Sequence, residues 1–316
     1  TLESIAWVQL HGKKILPTLI VCPASLKANW YKEFKKFTDL SKYVEVLNGQ
    51  TPYKPSKSIL IINYDILHHW QNTLLKTIKP TLIIADEIHK AKNKDTKRTK
   101  SLGKLAKYTK YFIGLTGTPV DNRPREIFQP LQMIKPTLFP NFMAFAHRYC
   151  NPQFNGFAMN YDGASNTIEL HQILERNVML RRKKEDVLKE LPNKSRALVP
   201  MDIDNRKEYN KAEEDLIKYL KEIDIEKAKK AKRAETLAKI ATLRRLAVKG
   251  KMRQTKDWIK DFIEYEKLVV FTWHKETADE LMNRFGKQAV KLVGGMSSKQ
   301  REAAKEAFQN DDKIRL

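Results

Sequence analysis

Short runs of Ile, Val and Leu recur along the chain, separated by amphipathic segments. Four of them lie in the first part of the sequence, at Thr18–Cys22, Ser58–Tyr64, Thr81–Ala85 and Tyr111–Leu115. Continuous apolar runs of this length, with helical patterns between them, are typical of strands buried on both faces of a parallel sheet. The sequence therefore predicts an α/β fold in which helices flank a parallel sheet.

The pattern lapses over residues 124–191, which we predict to be mostly helical, with a Gly- and Asn-containing loop at 151–166. It then returns, and we expect further strands at Ala197–Ile203, Leu268–Thr272 and Ala289–Val293, with a long charged helical region and two amphipathic helices among them. The boundary is expected near Leu191-Pro192-Asn193, because proline disfavours helix in the residue before it. We therefore expect a first lobe over 1–191, with a helical protrusion at about 124–191, and a second lobe over 192–316.

The charge of the chain indicates a polyanionic partner. Lys and Arg number 60 against 37 Asp and Glu, which gives a net charge of +23, and nucleic acid is the first partner to consider. Charge alone leaves open a merely soluble, lysine-rich protein. The two cysteines have no companion at metal-ligand spacing, as expected in a reducing compartment. We find no apolar stretch long enough to cross a bilayer, so we expect a soluble intracellular protein with no membrane partner.

The sharpest candidate site is Ile83–His89, where an apolar run ends on two adjacent carboxylates. Ligands in open α/β sheets bind at the carboxyl ends of strands. There Asp86 could hold Mg²⁺ directly or through water, Glu87 could orient and deprotonate an attacking water, and His89 could sense a γ-phosphate. The alternative is a strand end whose acidic residues only cap the next helix.

A second candidate follows the next hydrophobic run, where Thr116, Gly117 and Thr118 precede a proline. Small residues there permit close approach to the carboxylate segment. The pair "DEIH" then "LTGTP" resembles motifs II and III of superfamily-2 helicases, and the separation of roughly thirty residues fits one strand–helix step. The resemblance implies that Thr116, Gly117 and Thr118 couple the nucleotide state to the grip on nucleic acid.

Val21–Trp30 resembles motif Ia of the same family. A strand is expected to end at Pro23 and a helix to open near Ser25, so that free backbone N–H groups, the Ser25 hydroxyl and Lys27 suit a DNA phosphate. The alternative is that Ser25 only caps the helix. Asn63 and Tyr64 close the next run, and they are further candidates for contact with the DNA backbone.

The middle of the chain points to a subfamily. Residues 178–194 resemble the "LRR-x-K-x-DV…LP-x-K" box of SWI/SNF-type ATPases, which implies DNA contact by Arg181 and Arg182. The alternative is that these arginines form salt bridges on a helix surface. Stretches at 117–126, 135–150 and 161–166 resemble the annealing-helicase (HARP-like) branch of the family.

The second lobe contains one more resemblance, between Leu268–Lys275 and motif IV. It implies that four residues at the end of a strand face DNA: Thr272, Trp273, His274 and Lys275. For Trp273 a place in the hydrophobic core is an equal alternative.

No phosphate-binding G-x-x-x-x-G-K-[ST] loop occurs in the sequence. The resemblance implies that Thr1 is the last residue of that Walker A loop and contacts ATP. It also implies that motifs V and VI, with the arginine finger, would lie beyond Leu316. We therefore expect the chain as given to be inactive.

The resemblance implies two RecA-like lobes of the P-loop NTPase type, the second incomplete. It implies an ATP-dependent translocase or remodeller of double-stranded or branched DNA, acting as an annealing helicase, with ATP and Mg²⁺ as cofactors between the lobes. We expect a monomer, cytoplasmic and nucleoid-associated in a prokaryote or virus and nuclear in a eukaryote. An RNA helicase and a non-catalytic DNA-binding fragment remain alternatives.

Overall fold

The computed structural model describes residues 1–120, 122–192, 194–221 and 230–316. The chain divides into two compact units, Thr1–Leu191 and Pro192–Leu316. Asn193, which belongs to the expected boundary, lies outside the described residues.

The first unit is built on a five-stranded sheet in which all the pairings are parallel. Its strands, in the order β2-β3-β1-β4-β5, are β1 (Thr18–Cys22), β2 (Val44–Val46), β3 (Ile59–Asn63), β4 (Leu82–Asp86) and β5 (Tyr111–Leu115). Four of them lie on predicted hydrophobic runs. The sequence does not predict β2, because Glu45 interrupts its short apolar run. The α/β fold class is confirmed.

Helices cover both faces of this sheet. The α-helices of the first unit are α1 (Leu2–His11), α2 (Lys27–Phe37), α3 (Leu67–Thr73), α4 (Lys97–Ala106), α5 (Phe128–Ile134), α6 (Phe142–Tyr149), α7 (Thr167–Asn177) and α8 (Lys184–Val187). Trp30 and Phe34 of α2 are four residues apart and so lie on one helix face, which packs on Ile20 and Ile84. The opposite face of the sheet is covered by a cluster that includes Trp70 of α3.

Short helical turns complete this unit. The 3₁₀ turns are Gly12–Ile15, Ala24–Leu26, Asp39–Tyr43, Ile88–Ala91 and Pro124–Ile127, and α3 continues into a π-helical turn at Leu74–Ile78.

The protrusion at 124–191 has its own hydrophobic cluster, in which aromatic side chains of α5 and α6 pack edge to face. Phe128 and Phe142 lie 5.1 Å apart in this cluster. The loop expected at 151–166 contains an antiparallel pair, β6 (Gln153–Phe154) with β7 (Met159–Asn160). The rest of the segment is loop, as expected, and Asn155 accepts backbone hydrogen bonds from Phe157 and Ala158 that close the tight turn between the two short strands.

The second unit consists of helices: α9 (Arg206–Lys221), α10 (Lys230–Ile263), α11 (Lys275–Phe285) and α12 (Ser298–Asn310), with a 3₁₀ turn at Gly286–Gln288. A capping box fixes the start of α12, because Ser297 and Gln300 each accept a backbone N–H from the other. Among the described residues, no helix combines the length and the apolar character that crossing a bilayer requires.

The three strands expected in the second unit are not strands in the described structure. Among the residues described in this unit, no strand lies beside Ala197–Ile203, and the N–H of Asp202 donates to the Gln254 side chain. Leu268–Thr272 makes a backbone hydrogen bond from Leu268 N–H to Arg315 O, and Ala289–Val293 makes one from Val290 N–H to Leu316 O. One such bond at the start of each segment is too little to build a ladder.

Candidate functional site

Three strand ends meet at the candidate site. β4 lies between β1 and β5, and Ala85 is paired with Val21 on one side and with Gly114 on the other. The carboxyl ends of the three strands therefore lie at one edge of the sheet. In parallel α/β sheets this edge is where ligands bind.

Asp86, the last residue of β4, is held by two buried aromatic side chains. Trp30 Nε1 donates a hydrogen bond of 2.8 Å to Asp86 Oδ2. The hydroxyl of Tyr64, the residue after β3, donates one of 2.8 Å to the Asp86 backbone oxygen. Both rings are 1% exposed, whereas Asp86 is half-buried. The side chain and the main chain of Asp86 are thus each fixed by the core.

Burial keeps two groups close to Asp86 protonated, the thiol of Cys22 and the phenol of Tyr64. Burial raises the pKa of the Cys22 thiol to about 12, and the Asp86 carboxylate contributes to the rise. Burial also raises the pKa of the Tyr64 phenol, with a further contribution from Asp86. The Cys22 thiol and the Tyr64 phenol therefore stay protonated at neutral pH, and neither competes with Asp86 for a cation.

Glu87 has an unusual backbone conformation. Its φ of 53° and ψ of 50° lie in the left-handed region, which non-glycine residues rarely adopt. The turn sends Ile88 into the core and leaves Glu87 and His89 half-buried at the edge of the sheet. His89 Nδ1 lies 3.2 Å from Glu87 Oε2.

A chain of polar contacts joins the carboxylate segment to the end of β5. His89 Nδ1 lies 3.0 Å from Thr116 Oγ1, and Thr116 Oγ1 accepts a hydrogen bond of 3.1 Å from the Thr118 backbone N–H. The two segments singled out in the sequence are therefore in direct contact, although 27 residues separate His89 from Thr116.

The glycine that permits this approach is Gly114, not Gly117. A Cβ at Gly114 would lie 2.8 Å from Ile88 Cδ1, whereas one at Gly117 would have nothing within 4 Å. The structural role expected of Gly117 was therefore wrong, because Gly117 is exposed beyond the strand while Gly114 lies in β5 against Ile88. Its role in coupling stays a prediction.

The turn between β1 and α2 presents part of the expected DNA-contacting set. Ser25 is exposed and Pro23 is half-buried. The residue that caps α2 is Leu26, without a side-chain hydrogen bond, so Ser25 does not act as the cap. Lys27 Nζ donates to Leu47 O at 3.0 Å and to Asn48 Oδ1 at 2.6 Å, and burial lowers the pKa of its ammonium group.

Three other residues of this unit that were predicted to contact DNA differ from one another in burial and in partners. Asn63 is 6% exposed and its side-chain amide donates to Asp65 at 3.4 Å. Arg182 forms an ion pair of 2.7 Å with Glu3, while Arg181 is exposed. The surface salt bridge given as an alternative therefore exists for Arg182, and it links this side chain to Glu3 of α1.

The predicted set of the second unit lies at the start of α11. Trp273 is 88% exposed, which excludes the core alternative within the described structure. Lys275 and Thr272 are exposed, and His274 is half-buried. The Thr272 hydroxyl donates to His274 O at 2.8 Å, which fixes this turn.

Thr1, the expected ATP contact, is exposed at the start of α1, and its backbone oxygen accepts from the Ile5 N–H at 3.1 Å. Of the predicted residues, Asp86, Glu87, His89 and Thr116–Thr118 come together at one edge of the sheet. Residues 272–275 belong to the other unit.

Sequence reasoning missed the roles of Trp30 and Gly114, and it missed the hydrogen bond from Tyr64 to Asp86. Trp30 and Tyr64 lie within or directly after runs that were singled out, but their hydrogen bonds to Asp86 span 56 and 22 residues. No local pattern indicates such contacts.

The donor set at the site suits a magnesium ion. Within the described ranges, no three His, Cys, Asp or Glu side chains cluster in a way that could enclose a metal. Mg²⁺ is commonly held by one or two carboxylates together with water and substrate phosphates, rather than by a complete protein cage. The single half-buried Asp86 fits that mode.

A parallel sheet with an Asp–Glu pair at the carboxyl end of a strand is typical of the nucleotide-binding α/β lobe of P-loop NTPases. Residues 1–257 match the family model described as SNF2-related domain. The chain therefore belongs to the SNF2-related domain family.

Curated relatives include the SWI/SNF-related matrix-associated actin-dependent regulator of chromatin subfamily A-like protein 1 of Xenopus laevis, at 32% identity over 99% of this chain and 32% of the relative. They also include the DNA annealing helicase and endonuclease ZRANB3 of Homo sapiens, at 29% identity over 100% of this chain and 30% of the relative. The chain thus spans about a third of the length of these relatives.

Two solved structures of a SWI2/SNF2 ATPase core from Sulfolobus solfataricus have the same fold. The core in complex with dsDNA matches with a TM-score of 0.50 at 22% identity, over 98% of this chain and 68% of that one. The core domain alone matches with a TM-score of 0.51 at 23% identity, over 100% and 68%. These matches confirm the RecA-like α/β architecture.

Proposed function

We propose that the protein containing this chain is an ATP-dependent translocase or remodeller of double-stranded DNA that acts as an annealing helicase. One observation supports this above all: Asp86, Glu87, His89 and Thr116 lie in one connected arrangement at the carboxyl edge of the sheet. Membership of the SNF2-related domain family adds the expectation of ATP use.

The residues at this edge suit distinct tasks in ATP hydrolysis. The half-buried Glu87 carboxylate can orient a water molecule and accept its proton. His89 lies between Glu87 and Thr116, so it can transmit the presence or absence of the γ-phosphate to the end of β5. Mg²⁺, when bound with ATP at Asp86, would neutralise charge on the phosphates. Trp30 and Tyr64 keep Asp86 in place.

Duplex DNA is the partner that the charge and the relatives favour. The net charge of +23 suits a phosphate backbone. One relative is named a DNA annealing helicase, and one solved core is bound to dsDNA. We infer that exposed residues such as Ser25, Arg181 and Lys275 contact phosphates, and that branched DNA is the preferred form. The protein acts as a monomer, in the nucleus of a eukaryote or on a prokaryotic nucleoid.

The experiment is an ATPase assay of the full-length protein with duplex DNA, branched DNA, RNA or no nucleic acid. Duplex or branched DNA should stimulate hydrolysis, and Glu87→Gln should reduce the stimulated rate by at least about 10²-fold because it removes the general base. Glu213→Gln makes the same chemical change at an exposed position of α9 and should leave the rate unchanged.

The other outcomes separate the alternatives. Stimulation by RNA but not by DNA would favour an RNA helicase. DNA binding without hydrolysis would favour a non-catalytic DNA-binding protein. DNA-stimulated ATP hydrolysis that persists in Glu87→Gln would contradict the assignment of Glu87 as the general base.

A further inference from the structure

Trp30 lies on the buried face of α2 and contacts the edge of the sheet where Asp86, Glu87 and His89 lie. Its indole lies in the core beside Phe34, at 6.4 Å between ring centroids, and its N–H reaches Asp86 Oδ2 at 2.8 Å. The indole nitrogen can only donate a hydrogen bond, so Trp30 is the donor and Asp86 Oδ2 is the acceptor. Donors to an ionised carboxylate form shorter and stronger bonds than neutral pairs.

The same helix begins at the turn that presents Ser25. α2 starts at Lys27, and Trp30 follows three residues later, so the two side chains lie on adjacent turns of one helix face. The turn and the carboxylate are therefore joined through a single rigid element. A shift of α2 by about 1 Å would stretch the Trp30–Asp86 contact beyond hydrogen-bond distance.

We propose that Trp30 is a positioning residue that orients the Asp86 carboxylate and transmits phosphate contact at the Pro23–Lys27 turn to it. The proposal rests on the proposed function, since it assumes that the turn meets DNA and that Asp86 serves ATP hydrolysis. Trp30 itself touches neither ligand. It acts through the hydrogen bond to Asp86 Oδ2.

The alternative is that Trp30 only fills the core and satisfies its own N–H. Trp70 offers a matched control, because its indole is also fully buried in the first unit and donates to a backbone oxygen, that of Gly49, at 3.0 Å. Trp70 packs on the other face of the sheet. Trp30→Phe and Trp70→Phe therefore remove the same ring atoms and the same kind of donor, and only the first touches Asp86.

The first measurement is duplex-stimulated ATP hydrolysis by the full-length protein at varied Mg²⁺ concentration. Trp30→Phe should lower kcat about tenfold, the effect of losing a hydrogen bond to a charged group, and should raise the Mg²⁺ concentration needed for half-maximal rate. Trp70→Phe should change neither quantity.

The second measurement is hydrogen–deuterium exchange of the full-length protein with and without duplex DNA, in the absence of nucleotide. In the wild type, DNA should slow exchange both in residues 23–37 and in residues 83–91. Trp30→Phe should keep the protection of 23–37 and lose that of 83–91, whereas Trp70→Phe should keep both. Ser25→Ala tests the coupling at an exposed position, away from the core, and should weaken the protection of both segments.

The proposal is overturned if Trp30→Phe matches Trp70→Phe in both measurements, or if Ser25→Ala leaves the protection of 83–91 intact. Its failure is distinct from failure of the proposed function. If only the role of Trp30 is wrong, Glu87→Gln still abolishes DNA-stimulated hydrolysis. If the proposed function itself is wrong, Glu87→Gln does not abolish it.

Discussion

Two segments of the chain share one sequence pattern, a hydrophobic run followed by polar residues, but they adopt different structures. Residues 82–89 form β4 and the turn after it, with Ile84 completely buried. Within the described residues, the run 268–272 makes one backbone hydrogen bond to a distant part of the chain, from Leu268 N–H to Arg315 O, and Phe271 is 94% exposed. The difference shows that a hydrophobic run becomes a strand only where neighbouring strands flank it along its length.

The comparison also explains why one candidate site can be built from the sequence and the other cannot. Asp86 lies where it does because β1 and β5 flank β4, and two core residues hold it. Thr272 makes hydrogen bonds only to His274, two residues away in sequence, in the described part of the chain. Local contacts of this kind fix the shape of a turn but not its place in the fold.

The largest expected effect is on stability, and it compares a side chain from each of the two segments. Ile84→Ala should lower the free energy of unfolding by about 2–5 kcal/mol, because it opens a cavity in a close-packed core. Phe271→Ala should change it by less than about 0.5 kcal/mol, since the ring is exposed. Urea denaturation of the chain, followed by circular dichroism, gives both values. Equal losses in the two variants would show that Phe271 is buried in solution.

A second prediction uses the buried thiol of the first unit. Folding raises the pKa of Cys22 from 9.0 to about 12. The thiol therefore contributes stability that is fully present below pH 9 and is lost as the pH rises from about 9 to 12, because the unfolded chain deprotonates first. The contribution is at most about 4 kcal/mol. Urea midpoints measured across this range should fall less steeply in Cys22→Ala than in the wild type.

Both cysteines of the sequence lie in the first unit, so alkylation reports on that unit alone. Iodoacetamide should label native Cys22 much more slowly than the urea-unfolded chain at the same pH. Rapid labelling of native Cys22 at pH 8 would contradict the burial of the thiol.

The smallest effect concerns DNA binding by the second unit. If Lys275 contacts a phosphate, Lys275→Ala should reduce the slope of log Kd against log salt by about one, with little dependence on DNA sequence. Lys313→Ala removes the same charge from another exposed position of this unit and should leave the slope nearly unchanged. Fluorescence anisotropy with a labelled duplex measures both. The same slope in both variants would remove Lys275 from the predicted DNA-contacting set.

Sequence periodicity predicts most of the first unit because its strands are buried on both faces. It fails for β2, which is short and contains Glu45, and for the β6–β7 pair, whose turn depends on the Asn155 side chain. The Asp86–Glu87 pair could be found because it directly follows an apolar run. The hydrogen bond from Trp30 could not, because it depends on how α2 packs across the sheet.

The left-handed backbone of Glu87 has a consequence for how such a protein can evolve. A non-glycine residue in this conformation costs of order 1–3 kcal/mol, and a glycine there would relieve the strain. If Glu87 serves hydrolysis as proposed, a lineage that no longer needs hydrolysis would gain stability by exchanging Glu87 for glycine. A glutamate kept at this position through long divergence would be a record of selection for activity at the expense of stability.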